Sequence, residues 1–387
     1  MKITNVDPIQ CDAAWASFTF VRIETDAGIT GYGECTDWRM PNALAGGVRD
    51  MASIVAGKDP MAIGKLSSDM KNRAQQAPSG LIQRSIAGIE CALWDIKGKA
   101  YGVPVYELLG GKHCDKLRLY WSHCGTYRAR YSQFLQTPPI RSYADITALG
   151  REVVDRGFTA LKTNIVVPGD PASTIRSIDG NMQPGVLDRI ERNVDAFREG
   201  VGDAADIALD INFHFKTEPA RRIARALEGK GLMWLEFDSF DACAVRDVKD
   251  STSTAICSGE SINTLRDYLP FLQSHAMDIA MVDVPWSGII EAVGISAVAD
   301  AHEILVAPHN YYSHLATFMT AHFCASTKNV KIMEIDVDGA PWRDELVTEM
   351  PQISDGHLIV PDAPGWGTDL NIEALERWPS KGKIPVI

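Results

Sequence analysis

The sequence predicts an α/β fold: a (β/α)8-type, modified TIM barrel with an N-terminal α+β capping domain. Three observations carry that prediction. From Lys116 to about Asp355, eight short apolar runs alternate with amphipathic helical stretches, close to the roughly 250 residues of a closed barrel. Ahead of them, residues 1–115 run strands first and helices after, the order of an α+β unit. No G-x-G-x-x-G opens any helix, which counts against the runner-up, an open doubly wound sheet.

The N-terminal unit opens as a meander. In ASFTFVRIETDAGITGYGE, Phe18, Phe20 and Arg22 alternate with Thr19, Val21 and Ile23, and Asp26-Ala27-Gly28 supplies a turn. Gly31 and Gly33 permit a bulge or a close backbone approach. A helix follows: Leu81, Ile82, Ile86, Ile89, Leu93 and Ile96 recur at helical spacing, and Gly102 with Pro104 ends the run. Asp95, inside this helix, is expected to bridge structurally to the barrel.

Eight barrel strands are read from LRLYWSH, FTALKTNIV, IALDIN, LMWLEFD, TAICSGE, DIAMVDV, EILVAPH and VKIMEID. Between most of them lie stretches such as EPARRIARALEGK and TLRDYLPFLQSH, with helical patterning; YYSHLATFMTAHFCAS reads as the helix after the seventh strand. The insertion VPGDPASTIRSIDGNMQPG follows the second strand, on the face where barrel sites form. The tail from residue 356 to 387 becomes turn-rich and strand-like, and is expected to leave the barrel and pack back on the cap.

Composition narrows the function. At 45% apolar and 23% charged residues the chain has ordinary globular make-up, and its net charge of -12 argues against a nucleic-acid partner. No apolar stretch is long enough to span a membrane, and the polar, Pro8-containing start lacks a secretory core, so a cytoplasmic location is expected. Eight cysteines without C-x-x-C spacing read as reduced core thiols.

The chemistry lies at the strand ends. Three apolar runs close on a carboxylate: Asp210, Glu236 and Glu260. A single such acid is more commonly a helix cap, but three arriving at one end of a parallel barrel repel one another unless a cation joins them. An all-oxygen set suits Mg2+. Period two puts Lys162 with Asn164, Asp210 with Asn212, and Glu236 with Asp238 on shared faces. Later strands add Asp283, His309 and Glu334. A proton beside a carboxylate is weakly acidic, so its removal needs a Lewis acid and a base near neutrality; His309 oriented by Asp283 fits that base. His214 stands four residues past the first predicted ligand, and His123 ends the first strand. Trp15 and the loop from Asp37 to Arg39 fall where a cap would close over substrate.

Taken with SIAGIECALWDIKGKAYGVPVYELLGG, the series Lys162, Asp210, Glu236, Glu260, Asp283 with His309, and Glu334 resembles the enolase superfamily, in its mandelate racemase-like subgroup, over nearly the whole chain. The resemblance implies Mg2+ on Asp210, Glu236 and Glu260, with His309 as base; a Lys or His base with Mg2+ is the general pattern of these sites. One departure matters. Racemases of this subgroup carry K-x-K on the second strand, and here the motif is Lys162-Thr163-Asn164. Racemisation by two opposed bases is therefore disfavoured, leaving dehydration of a sugar acid to a 2-keto-3-deoxy acid as the leading expectation. In that reading His309 is the base and either His309 or His214 the acid. Lys162 acts as an electrophile, Glu334 hydrogen-bonds the enediolate, and Asn164, Asn212, Trp15, His123 and Trp286 contact substrate. Epimerisation or cycloisomerisation through the same enolate, and a non-catalytic scaffold that binds a metal or a sugar acid, are the alternatives. The expected partners are a small carboxylate and further copies of the chain.

Overall fold

The computed structural model describes residues 1–175, 177 and 179–382. Positions 176 and 178 of the predicted insertion and the last five residues of the predicted tail lie outside the described residues.

Strands β1 (Ile3–Asp12), β2 (Ser17–Thr25) and β3 (Thr30–Glu34) form an antiparallel sheet in the order β1-β2-β3. Helices α1 (Pro41–Val55), α2 (Ile63–Arg73) and α3 (Leu81–Tyr101) cover it. The β3 glycines serve close approach rather than a bulge. A Cβ at Gly31 would run into the carbonyl of Ala92, and one at Gly33 into that of Gly88, so the strand lies directly on α3. Gly102 ends α3 in the left-handed conformation, as its sequence position predicts.

Eight parallel strands follow in sequence: Lys116–Ser122, Ala160–Thr163, Asp206–Asp210, Leu232–Glu236, Ile256–Ser258, Ile279–Ala280, Leu305–Val306 and Met333–Asp336. Each pairs with the next through the seventh, and the eighth pairs with the first. The ring closes between the seventh and eighth, where Val306 N donates to Asn329 O (2.9 Å) and Lys331 N to Val306 O (2.8 Å). Tyr120, Trp234, Met281 and Ile332 are among the side chains filling the interior, so the barrel is a packed core rather than a pore. The late strands are shorter than their apolar runs. Asp283 lies beyond the sixth strand, at the N-cap of the short helix Val284–Ser287, and His309 lies beyond the seventh; a single bridge pairs the two. The helix after the seventh strand starts at His314, capped by Ser313, which leaves Tyr311 and Tyr312 in the loop instead of the predicted helix. The insertion forms a small ribbon, Val166–Val167 with Ser173–Thr174.

Three buried carboxylates join the units. Glu34 on β3 accepts from Ser313 N, Ser313 Oγ and Ala316 N at the start of the barrel helix His314–Ala325. Glu90 on α3 accepts from Ile290 N (2.8 Å) at the start of helix Ile289–Ala301. Each sits where a helix N-terminus favours negative charge. Asp95 accepts from Tyr32 N (2.9 Å) and Trp366 N (3.0 Å) and pairs with Lys99, so it bridges cap and tail rather than cap and barrel. The tail also meets β1, through Trp378 O accepting from Asp12 N and a bridge between Cys11 and Pro379.

Six of the eight cysteines are buried and none is disulfide-bonded; Cys243, expected in the core, is exposed on helix Ala242–Lys249. Among the described residues no helix is long and apolar enough to cross a membrane.

His322 yields a stability prediction. Its Nε2 bonds Trp366 O (3.0 Å) and its Nδ1 accepts from Tyr106 N (3.3 Å), so only the neutral tautomer serves both. Burial pushes its pKa down to about 4. A depressed folded pKa means that the unfolded chain takes up the proton first, so the native state loses stability as pH falls from about 6.5 towards about 4. Relative to His322→Phe, wild type should lose about 2 kcal/mol between pH 7 and pH 5, read from denaturant midpoints at both values.

Candidate active site

The ends of the strands converge as period two requires. Asp210, Glu236 and Asp238 each bring a carboxylate oxygen within 4.8 Å of the others, all three buried. Asn212 N (2.6 Å) and Asn164 Nδ2 (3.0 Å) donate to Asp210, and Gly259 N (3.1 Å) to Asp238. Glu236 Oε1 and Asp238 Oδ2, although buried, have no hydrogen-bond partner among the described residues. Burial, then repulsion from neighbouring acids, pushes the carboxyls of Glu236 and Asp238 well above their ordinary range. Buried acid oxygens lacking donors, in an all-oxygen set, fit a hard divalent cation.

Glu260 is the predicted third ligand. It stands at the same mouth, but its Oε2 lies 3.2 Å from His309 Nε2, and Asp238 completes the close set.

Lys162 sits in the floor, with Nζ 2.9 Å from Glu236 Oε2 and 3.1 Å from Glu334 Oε1. Burial pulls its ammonium down, but Glu236 and Glu334 outweigh it and the group stays charged. Glu334 also accepts from Ser122 Oγ and Asn310 N. Burial pushes its carboxyl up, but Lys162 and then His309 dominate and hold it at about 2. Such a carboxylate accepts hydrogen bonds and does not supply a proton.

His309 Nδ1 is 2.6 Å from Asp283 Oδ2, which also receives Tyr312 OH, while Trp286 N donates to Asp283 Oδ1. These contacts fix the ring and aim Nε2 at Glu260. Burial acts to lower the imidazole, yet Glu260, Glu334 and Asp283 together raise it to about 10. His123 Nδ1 bonds Asp336 Oδ1 (2.9 Å), and its ring stacks on Tyr127 at 4.4 Å.

Aromatic rings roof the mouth. Trp15, from the β1–β2 turn, stacks on Tyr131 at 4.5 Å; Trp38 meets Tyr311 at 4.6 Å; Tyr311 lies 4.6 Å from His309. Trp286 carries the Arg84 guanidinium on its face at 3.5 Å, and Arg84 pairs with Asp37. Arg39 is exposed. His214 lies half-buried in the turn after Asp210, with its N–H donating to Ile211 O (3.2 Å).

Asp336, Tyr311 and Tyr312 join the site beyond the residues expected from the sequence. Asp336 has a sequence signal, since Glu334-Ile335-Asp336 repeats the period-two pattern of the earlier strands.

The sequence profile described as Enolase C-terminal domain-like matches residues 145–375, and that of the mandelate racemase/muconate lactonizing enzyme N-terminal domain matches residues 5–110. The chain belongs to the enolase superfamily, in its mandelate racemase-like subgroup. This superfamily member is an enzyme. It is 30% identical to the D-xylonate dehydratase of Haloferax volcanii over 99% of this chain and 90% of that protein. It is 27% identical to the D-gluconate dehydratase of Thermoproteus tenax over 99% and 76%. A Burkholderia xenovorans structure, provisionally named an L-alanine-DL-glutamate epimerase and bound to magnesium and fumarate, superposes with a TM-score of 0.96 at 36% identity, covering 98% of this chain and 97% of the other.

A thermal-shift titration with MgCl2 checks the acid cluster. The melting temperature of the wild-type enzyme should rise with Mg2+, by the equivalent of about 2.7 kcal/mol at a hundredfold excess over Kd. In Asp210→Asn and Glu236→Gln that rise should be lost.

Proposed function

We propose that this enzyme is a Mg2+-dependent dehydratase of a sugar acid, forming a 2-keto-3-deoxy acid. One observation carries the reading: the imidazole of His309, oriented by Asp283, points its Nε2 into the acid cluster 3.2 Å from Glu260, while Asn164 occupies the second-strand position from which an opposed lysine would act.

In this reading Asp210, Glu236 and Glu260 hold the ion, with Asp238 beside them. When bound, the ion polarises the substrate carboxylate and offsets the pull of the acids on His309. The chain supplies the rest. With Nδ1–H donated to Asp283, His309 presents the Nε2 lone pair and takes the α-proton. Lys162 keeps Glu236 and Glu334 fixed and adds positive charge below the developing enediolate. Glu334 accepts a hydrogen bond from a substrate hydroxyl, and Asn164 and Asn212 hold Asp210 in place and reach substrate oxygens. Trp15 and Trp286 close the cap side and exclude water. His214 and His123 stand near the mouth as candidate donors and contacts. The dehydratase relatives from Haloferax and Thermoproteus support the same class of substrate.

Epimerisation is the second reading, favoured by the name of the Burkholderia structure. It requires reprotonation from the opposite face, and Asn164 cannot serve as that base.

Aldonic and aldaric acids incubated with enzyme and Mg2+ in D2O, followed by NMR, separate the readings. A 2-keto-3-deoxy product is expected, with His309→Asn lowering kcat by about 10^2–10^4-fold. α-Deuterated substrate or its epimer, without keto acid, would select epimerisation.

A further inference from the structure

The mouth holds two imidazole–carboxylate pairs of the same design, and the reaction proposed above uses only one. His309 stands just past the seventh strand and bonds Asp283 through Nδ1 at 2.6 Å; His123 stands just past the first strand and bonds Asp336 through Nδ1 at 2.9 Å. In both, the acid comes from the neighbouring strand end and is buried. His123 Nε2 has no hydrogen-bond partner among the described residues, and the side chain keeps 17% of its surface exposed. The backbone there is left-handed, φ 46°, an uncommon conformation for a non-glycine residue that persists where the surrounding structure over-determines it. Tyr311 touches both rings, at 4.6 Å from His309 and 5.9 Å from His123. Glu334 links the same two sides: it lies 3.9 Å from His309 Nε2 and receives Ser122 Oγ, next in chain to His123.

We propose that His123 is the general acid that protonates the departing β-hydroxyl, with Asp336 as its positioning residue. The assignment rests on the dehydratase reading and names the group that reading leaves open. His309 Nε2 removes the α-proton, and the C–H electron pair passes into the enediolate. That pair then forms the Cα–Cβ double bond while the Cβ–O bond breaks, and the oxygen takes the Nε2 proton of His123, whose Nδ1 stays on Asp336, and leaves as water. The enol becomes the 2-keto acid by taking a proton at Cβ as its hydroxyl proton passes to solvent; His309 gives up the proton it removed, and His123 regains its own from solvent. The rival donor, His214, sits half-buried in the turn after Asp210, and the test compares the two.

The test uses the full-length enzyme with Mg2+ and three probes, D-gluconate, D-xylonate and D-galactonate, together with the 3-deoxy-3-fluoro analogue of whichever is dehydrated. Fluoride leaves without needing a proton. His123→Asn should lower keto-acid formation from the hydroxy acid by about 10^2–10^4-fold. It should lose far less of α-proton exchange in D2O and of fluoride release from the analogue than of dehydration. Those two retained reactions also show that the variant is folded. Asp336→Asn should show the same split with a smaller loss, which serves as the measure if His123→Asn fails to fold. Equal loss of fluoride release and dehydration in Asp336→Asn, or full dehydration by His123→Asn alongside its loss in His214→Asn, would overturn the assignment and leave the dehydratase reading intact. No keto acid from any probe with wild-type enzyme would remove both.

Discussion

Buried acids crowding one end of a barrel govern this structure. Asp210, Glu236, Asp238, Glu260 and Glu334 meet within the mouth, and burial makes each ionised acid costly unless positive charge lies close. Lys162 supplies one such charge and is held by two of the acids at once. It cannot satisfy the whole group: Glu236 and Asp238 each keep an oxygen with no partner among the described residues. The site is therefore built short of positive charge, the condition under which a divalent ion binds and stays.

That constraint orders the rest of the molecule. Parallel strands exist here to deliver side chains to one rim, and the rim groups beyond Ala280 and Val306 depend on loops fixed from the cap. Glu34 clamps the start of the helix that follows His309, and Glu90 clamps the helix that follows Asp283. Both halves of the His309–Asp283 pair are thus positioned by carboxylates from the N-terminal unit. Trp286 continues the link, donating its indole N–H to Thr36 O while its face carries Arg84. The cap is a roof over the mouth and also part of the scaffold that aims the imidazole.

Much of this was legible in the sequence because both periods involved are short and regular. Alternation within strands exposed Asp210 with Asn212 and Glu236 with Asp238, and helical spacing exposed α3. What escaped reading depends on contacts between distant segments. Nothing local shows that Glu260 faces His309 or that Asp238 joins the close acid set, because both depend on how far each strand end projects past its neighbour. Tyr311 and Tyr312 were absorbed into a helix by their apolar surroundings, whereas Ser313 caps that helix after them. Asp95 was read as a bridge to the barrel; its partner in the folded chain is the returning tail at Trp366. Asp336 falls within the period-two rule, on the same face of the eighth strand as Glu334.

The central claim is that the acid cluster holds a divalent ion beside the imidazole. Anomalous diffraction from crystals grown with Mn2+ in place of Mg2+ tests it most directly. One strong peak in the mouth, within bonding distance of Asp210 and Glu236, is expected. A mouth without a peak at saturating Mn2+, with these carboxylates turned apart, would contradict it.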